Sequence, residues 1–318
     1  MVSDGRTSPG GRRAEVAGTI DPAVDPTIDP AIEREYNLRA RHPEREAVYR
    51  RFAEASAAYR DRAGGLRDQR YADGPRCLLD FYPATATGAG TLAPLLVFVH
   101  GGYWRALDKE IFAFVAEPYA ASGVSVALIG YDLAPAVTLA EIVAETEAAM
   151  QWLGRAADGL GVRRDGVVLS GHSAGAHLCA VLASRPADRL GDLAVGAVAG
   201  LSGVYDLRPL LRASLNRDVR MTPADCEALS PIGCTHFTAR RFLLAVGELE
   251  TDGFRSQSLR FAAHLAALGH AADAPLIPGR THFDILDDFA DPRSDLFATV
   301  LSLCQPARPP NHPNGSPP

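Results

Sequence analysis

Apolar runs that alternate with stretches of helical periodicity predict an α/β protein, with a mostly parallel central sheet and helices on both faces. Three observations carry this. The run 95–99, Leu-Leu-Val-Phe-Val, is apolar without alternation, the pattern of a strand buried on both faces. Similar runs at 124–130, 166–170, 193–201, 242–246 and 274–277 alternate with helical patterns at 109–121, 139–156, 176–184 and 254–268. Finally, Gly171-His172-Ser173-Ala174-Gly175 stands between a strand and a helix, where a sharp turn would leave Ser173 exposed.

Taken in order, residues 1–30 are rich in Gly, Pro and Asp, and Asp21-Pro22, Asp25-Pro26 and Asp29-Pro30 recur every four residues. Each proline lacks a backbone donor and biases its predecessor away from helix, so a disordered arm is expected. Over 43–62, Val48, Phe52, Ala55 and Tyr59 share one face of an amphipathic helix that needs a surface to pack on. Gly64 and Gly65 end it, and 77–82 reads as a strand. The irregular stretch 208–238 is expected to form a short lid or one side of a pocket. A last helix over 292–303 has Asp291 as its cap and Pro292 at its first position. The Pro-rich 305–318 should be disordered, leaving 31–304 as a single domain with an N-terminal helical extension.

Composition narrows the function classes. The 318 residues carry a formal charge of -6, with 47% hydrophobic and 22% charged residues. No basic face is evident, which excludes a nucleic-acid partner. Lys109 is the only lysine, so Schiff-base chemistry has a single candidate, lying in a polar stretch before a helix. The five cysteines are widely spaced, without C-x-x-C or metal-ligand spacing, and read as free thiols in a reducing compartment. No metal and no cofactor are expected. No window approaches a membrane span and the N-terminus lacks an apolar leader, so a soluble, cytoplasmic protein without a membrane partner is expected. A homodimer is among the states the sequence leaves open.

The loops after strand C-termini gather on one edge of such a sheet, where ligands bind. Ser173, Glu250 and His282 fall in these loops, in the chain order nucleophile, acid, base of the α/β-hydrolase fold. A serine hydroxyl needs a base within reach, and the base needs a third group to fix its tautomer. Of nine histidines only His282 stands in the loop directly after the last strand, His312 belonging to the Pro-rich tail. For the acid, Glu250 stands after the penultimate strand, with Asp252, Glu248 and Asp206 as rivals. His100-Gly101-Gly102 supplies the electrophilic half: the amides of Gly101 or Gly102 would join that of Ala174 around an oxyanion.

Five segments, H-G-G-Y-W at 100–104, G-H-S-A-G-A-H at 171–177, S-G-V-Y-D-L at 202–207, G-E-L-E-T-D-G-F-R-S-Q-S at 247–258 and T-H-F-D at 281–284, resemble the kynurenine formamidase (arylformamidase) family of α/β-hydrolases. The resemblance runs from about residue 33 to 303. It implies Ser173 as nucleophile, His282 as base, Glu250 as acid, and Gly101, Gly102 and Ala174 at the oxyanion. Tyr103, Trp104 and Tyr205 are candidates for an aromatic pocket wall. Better-known members carry Asp where Glu250 stands, which leaves Asp252 as an alternative. The implied reaction is hydrolysis of N-formyl-L-kynurenine to L-kynurenine and formate. A carboxylesterase, or an aryl-ester or amide hydrolase with another acyl group, is the alternative; a catalytically silent scaffold would have lost Ser or His.

Overall fold

The apolar run 95–99 becomes strand β3 (Leu95–Val99), with every residue buried. In the computed structural model, which describes residues 27–85 and 90–305, β3 lies between β4 (Ser125–Ile129) and β5 (Val167–His172), parallel to both. With β1 (Leu66–Arg70), β2 (Leu78–Tyr82), β6 (Val195–Leu201), β7 (Arg241–Gly247) and β8 (Ala271–Asp273) the sheet order is β1-β2-β4-β3-β5-β6-β7-β8. A two-residue β9 (Leu276–Ile277) pairs with the end of β7. β1 and β2 run antiparallel and everything from β4 to β8 is parallel.

The helices of the parallel part follow the expected alternation. A 3₁₀ segment over Lys109–Val115 leads into α4 (Ala116–Ala121), and α5 (Leu139–Leu160) starts with a capping box between Thr138 and Glu141. α5 ends on left-handed Gly161. α6 (Ala174–Ala183) has all its residues buried, and α9 (Asp252–Ala267) crosses from β7 to β8. The last strand, expected over 274–277, is split: Ala271–Asp273 pairs with the start of β7, Leu276–Ile277 with its end. Pro275 between them has no amide to donate, only a carbonyl that takes the Val246 amide.

Several boundaries differ from the sequence reading. α1 (Pro30–Tyr36) and α2 (Leu38–Arg41) precede α3 (Arg45–Arg62). The third Asp-Pro pair opens α1: Asp29 accepts the amides of Ala31 and Ile32, and Pro30 takes the first turn. The first two pairs, and the expected disordered tail after residue 305, lie outside the described residues. On α3 the buried face is Phe52, Ser56 and Tyr59, whereas Ala55 is exposed. Ser56 is tolerated there because its Oγ accepts the Phe114 amide at 3.1 Å. The final helix, α11 (Asp295–Cys304), is capped by Ser294; Asp291 instead pairs with Arg293, so Pro292 lies before the helix.

Lys109 is buried rather than displayed, its Nζ donating to Asp68 at 2.6 Å and Asp80 at 2.8 Å. Burial pulls its pKa down, but the hydrogen bonds and charges of both carboxylates outweigh this and raise it. A lysine kept protonated in this way is no Schiff-base nucleophile; it ties β1 and β2 to the 3₁₀ segment. Among the described residues no helix is long and apolar enough to cross a membrane.

Candidate active site

Ser173 occupies a sharp turn between β5 and α6, with φ 54° and ψ -116°. This is strained backbone for a residue with a side chain, at a cost of about 1–3 kcal/mol, and persists only because packing on both sides dictates it. A Cβ at Gly175 would stand 1.9 Å from the Val99 carbonyl oxygen, and one at Gly171 2.4 Å from the Gly175 carbonyl carbon. Both positions are therefore restricted to glycine, and the α6 N-terminus is drawn against the end of β3.

Across the sheet edge, His282 and Glu250 meet. His282 Nδ1 lies 2.8 Å from Glu250 Oε2, and both side chains are buried. A carboxylate only accepts, so Nδ1 carries the hydrogen and Nε2 is left as an unprotonated base. The other oxygen, Glu250 Oε1, accepts Ser202 Oγ at 2.5 Å and the Gly247 amide at 2.7 Å. The extra methylene of Glu is accommodated by the carboxylate curling back over the turn: a Cβ at Gly247 would fall 3.2 Å from Oε1 and 2.3 Å from the Arg280 carbonyl oxygen. The rival carboxylates are engaged elsewhere. Asp252 pairs with Arg255, Glu248 accepts the Gly279 amide, and Asp206 is held by Arg208 and Arg260.

The residue before Ser173 joins these halves. His172 lies at Nε2 2.7 Å from the main-chain oxygen of His282, its ring 4.8 Å from the His282 ring. Burial pulls its pKa down to about 3, with the nearby His282 adding to the effect, so it is neutral.

His100-Gly101-Gly102 follows β3 and faces the turn. Gly101 packs on it closely, an added Cβ meeting the His172 carbonyl oxygen at 2.8 Å and Ser173 Cβ at 3.1 Å. Gly102 has φ 116° and an added Cβ would lie 2.2 Å from the Ala106 carbonyl oxygen, a conformation and a space open to glycine alone. Tyr103 and Trp104 continue in the left-handed region with φ 50° and 56°. Ala174 is the first residue of α6, where amides lack an intrahelical acceptor.

Ser173, His282, His172, Gly102 and Tyr103 line one cavity of about 230 Å³. Its other walls come from Leu38, Tyr49, Leu107 and Phe283, with Arg39, Arg45 and Glu46 also lining it. Tyr103 is therefore a wall residue, its hydroxyl donating to the Tyr36 carbonyl at 2.8 Å. Trp104 and Tyr205 are not. Both are fully buried behind the site, Trp104 edge-on to His177 with centroids 5.0 Å apart and Tyr205 stacked on Phe261 at 4.4 Å. The left-handed turn at 102–104 sends successive side chains to different sides, Tyr103 to the cavity and Trp104 into the core.

The segment 208–238 forms one side of a pocket, but not of the one at Ser173. Residues 208–238 form short helices, including α7 (Asn216–Val219) and α8 (Pro223–Leu229), beside a separate cavity of about 660 Å³. The Ser173 cavity is roofed instead by α2 and the start of α3. The amphipathic pattern of 43–62 signals that α3 must pack, but nothing in a four-residue helix announces that it completes a pocket.

Among the described residues one cluster has metal-ligand types, Cys77, Asp132 and Glu145, whose ligand atoms lie within 4.8 Å of one another. Burial pushes the Cys77 thiol up to about 11 and raises Glu145 as well. Both shifts favour the protonated, non-ligating forms. The five cysteines are all free thiols.

Solved structures with a similar fold include a thioesterase and a carboxylesterase. One described as a thioesterase, from Silicibacter, superposes with a TM-score of 0.70 at 30% identity, covering 80% of this chain and 92% of the other. A thermostable carboxylesterase cloned from a metagenomic library shares the fold, with a TM-score of 0.65 at 20% identity over 83% and 98% of the two chains. The protein is thus an α/β-hydrolase enzyme of the esterase type. The family model described as BD-FAE matches residues 79–225. Kynurenine formamidase of Drosophila melanogaster is 32% identical over 246 residues, 74% of this chain and 80% of that one. The Salmo salar kynurenine formamidase is 29% identical, over 79% and 85%. The chain belongs to the kynurenine formamidase family.

Proposed function

We propose that the protein hydrolyses an aryl formamide, N-formyl-L-kynurenine, to L-kynurenine and formate, with Ser173 as nucleophile, His282 as general base and acid, and Glu250 as the orienting carboxylate. The observation that carries this is the opening of Ser173 and His282 onto one small cavity, with His282 Nδ1 held at 2.8 Å by Glu250. Similarity to relatives named kynurenine formamidase supports this choice of substrate class.

Ser173 Oγ attacks the formyl carbon while His282 Nε2 takes its proton. The negative charge that develops on the formyl oxygen is met by the amides of Ala174 and of Gly101 or Gly102, each such donor worth about 2.7–4 kcal/mol in the transition state. His282 then returns the proton to the aryl nitrogen as the C–N bond breaks, releasing the amine and leaving a formyl ester on Ser173. Water, deprotonated by His282, attacks that ester; formate leaves and Ser173 regains its proton. Glu250 stays ionised throughout and stabilises the imidazolium.

The test compares kcat/KM for N-formyl-L-kynurenine and p-nitrophenyl acetate in the intact protein and in Ser173→Ala. Preference for the formamide, abolished by the substitution, is the expected result. Ester turnover without formamide cleavage would move the protein to the carboxylesterase reading, which its similarity to relatives named esterases also supports.

A further inference from the structure

The cavity has a reactive end and a charged wall. Ser173 and His282 form the first; Arg39, Arg45 and Glu46, from α2 and the start of α3, form the second. These three charges are not equivalent. Arg45 is spent on its surroundings, donating to the carbonyls of Arg39 at 2.8 Å and His42 at 3.1 Å and to Glu46 Oε1 at 3.2 Å. Glu46 is thereby matched by Arg45. The guanidinium of Arg39 has no hydrogen bond or ion pair among the described residues, although it borders the same space. The charge on this wall sums to one uncompensated cation.

A second group points the same way. Tyr49 stands on α3 at the cavity wall and its hydroxyl is bonded to no described residue. Burial pushes its pKa up to about 12, so it remains a neutral donor. A free guanidinium and a free phenol on one wall make an acceptor-binding subsite, and an anionic acceptor fits the net charge. The same cavity is lined by Leu38, Leu107 and Phe283, apolar surfaces for an aryl ring.

We propose that Arg39 binds a carboxylate on the leaving group, so that the enzyme is specific for acylated aryl amino acids over neutral aryl amides and esters. Resting on the hydrolase reading of Ser173, this adds a specificity-determining residue supplied by the N-terminal extension rather than by the sheet edge. A planar guanidinium takes a carboxylate by two parallel hydrogen bonds, which fixes the far end of the substrate and with it the angle at which the acyl carbon meets Ser173.

The experiment measures kcat/KM of the full chain and of Arg39→Gln for two formamides, N-formyl-L-kynurenine and N-(2-acetylphenyl)formamide, the second lacking the amino-acid end. The ratio of the two constants is the readout, because a general loss of folding lowers both equally. Loss of one charge-assisted pair should reduce that ratio about tenfold to a hundredfold in Arg39→Gln, mainly through KM, and raised salt should erode the ratio in the parent protein. An unchanged ratio overturns the proposal. Should neither formamide be cleaved while p-nitrophenyl acetate is, the formamidase reading has failed, and Arg39 is judged on O-acetyl-L-tyrosine against p-tolyl acetate. A ratio insensitive to the substitution in that pair rejects the carboxylate subsite as well.

Discussion

His172 Nε2 donates to the main-chain carbonyl of His282 at 2.7 Å, so the residue before the serine on the turn holds the histidine from the last loop. The direction is fixed by chemistry, since a carbonyl only accepts and burial keeps His172 neutral, its pKa brought down to about 3. Two loops that join the sheet edge independently are thereby locked to each other. His172→Ala should lower kcat about tenfold to a hundredfold with a smaller change in KM, as expected when a base is displaced by a fraction of an ångström. The pH dependence of kcat should keep its inflection, because His172 does not titrate in the working range. Steady-state kinetics from pH 5.5 to 9 check both; a moved inflection would make His172 a titrating participant.

Glu250 is held by three donors, Ser202 Oγ, the Gly247 amide and His282 Nδ1, which keeps its second oxygen aimed at the imidazole. Glu250→Gln should cost about 10⁴ in kcat, because an amide that donates to Nδ1 imposes the wrong tautomer. Glu250→Asp should fall between this and the parent, the shorter side chain reaching either His282 or the Gly247 turn but not both. Asp252→Asn, whose parent residue is paired with Arg255, should leave kcat within about twofold, as for a surface change. If Asp252→Asn were the more damaging of the two amide variants, Glu250 would not be the acid.

Backbone crowding around Ser173 gives a stability prediction. An added Cβ at Gly175 would sit 1.9 Å from the Val99 carbonyl oxygen, and neither β3 nor α6 can withdraw without opening the core. Gly175→Ala should therefore destabilise by about 4 kcal/mol or more, in the exceptional range for a single methyl. The analogous change at Gly159, with nothing within 4 Å, should be neutral or mildly stabilising, since alanine favours helix over glycine by up to about 1 kcal/mol. Urea unfolding of the two variants reads the contrast.

The parallel core was legible because its strands are apolar on both faces and the chemistry lies at their ends, where order along the chain carries information. Ser173 and His282 could be named on that basis. Glu250 could be ranked but not separated from Asp252, Glu248 and Asp206, because four carboxylates near two strand ends differ only in what they touch. The edge strand β1, Leu-Arg-Asp-Gln-Arg, has neither apolar alternation nor a run, since it is largely exposed. The pocket roof is not legible for a similar reason: α2 is too short to show a period, and in the sequence Arg39 is indistinguishable from any exposed arginine. The separation of Trp104 from Tyr103 was not legible either, because it rests on two successive positive φ angles that no residue type in H-G-G-Y-W announces.

Three buried histidines make stability depend on pH below neutrality. His100 and His177 are pulled to about 4 and His172 to about 3, in each case chiefly by burial. Unfolding restores them to about 6.5, so between these values the unfolded chain binds more protons than the folded one. Stability therefore rises with pH over this window and is lost as pH falls from 6.5 towards 4, by about 1.4 kcal/mol per pH unit for each histidine. Ordinary carboxylates contribute little above pH 5, and buried Glu145, raised above its usual value, is common to parent and variant, so the difference between them over the interval from 6.5 to 5 reports the histidine. His177→Gln, which keeps a donor for the Leu229 carbonyl that His177 Nε2 contacts at 2.9 Å, removes one titrating group from that interval. The slope of unfolding free energy against pH should then fall by about one third of the parent value if the three contribute alike. Urea midpoints at half-unit steps measure it, and an unchanged slope would mean that His177 is already protonated in the folded protein.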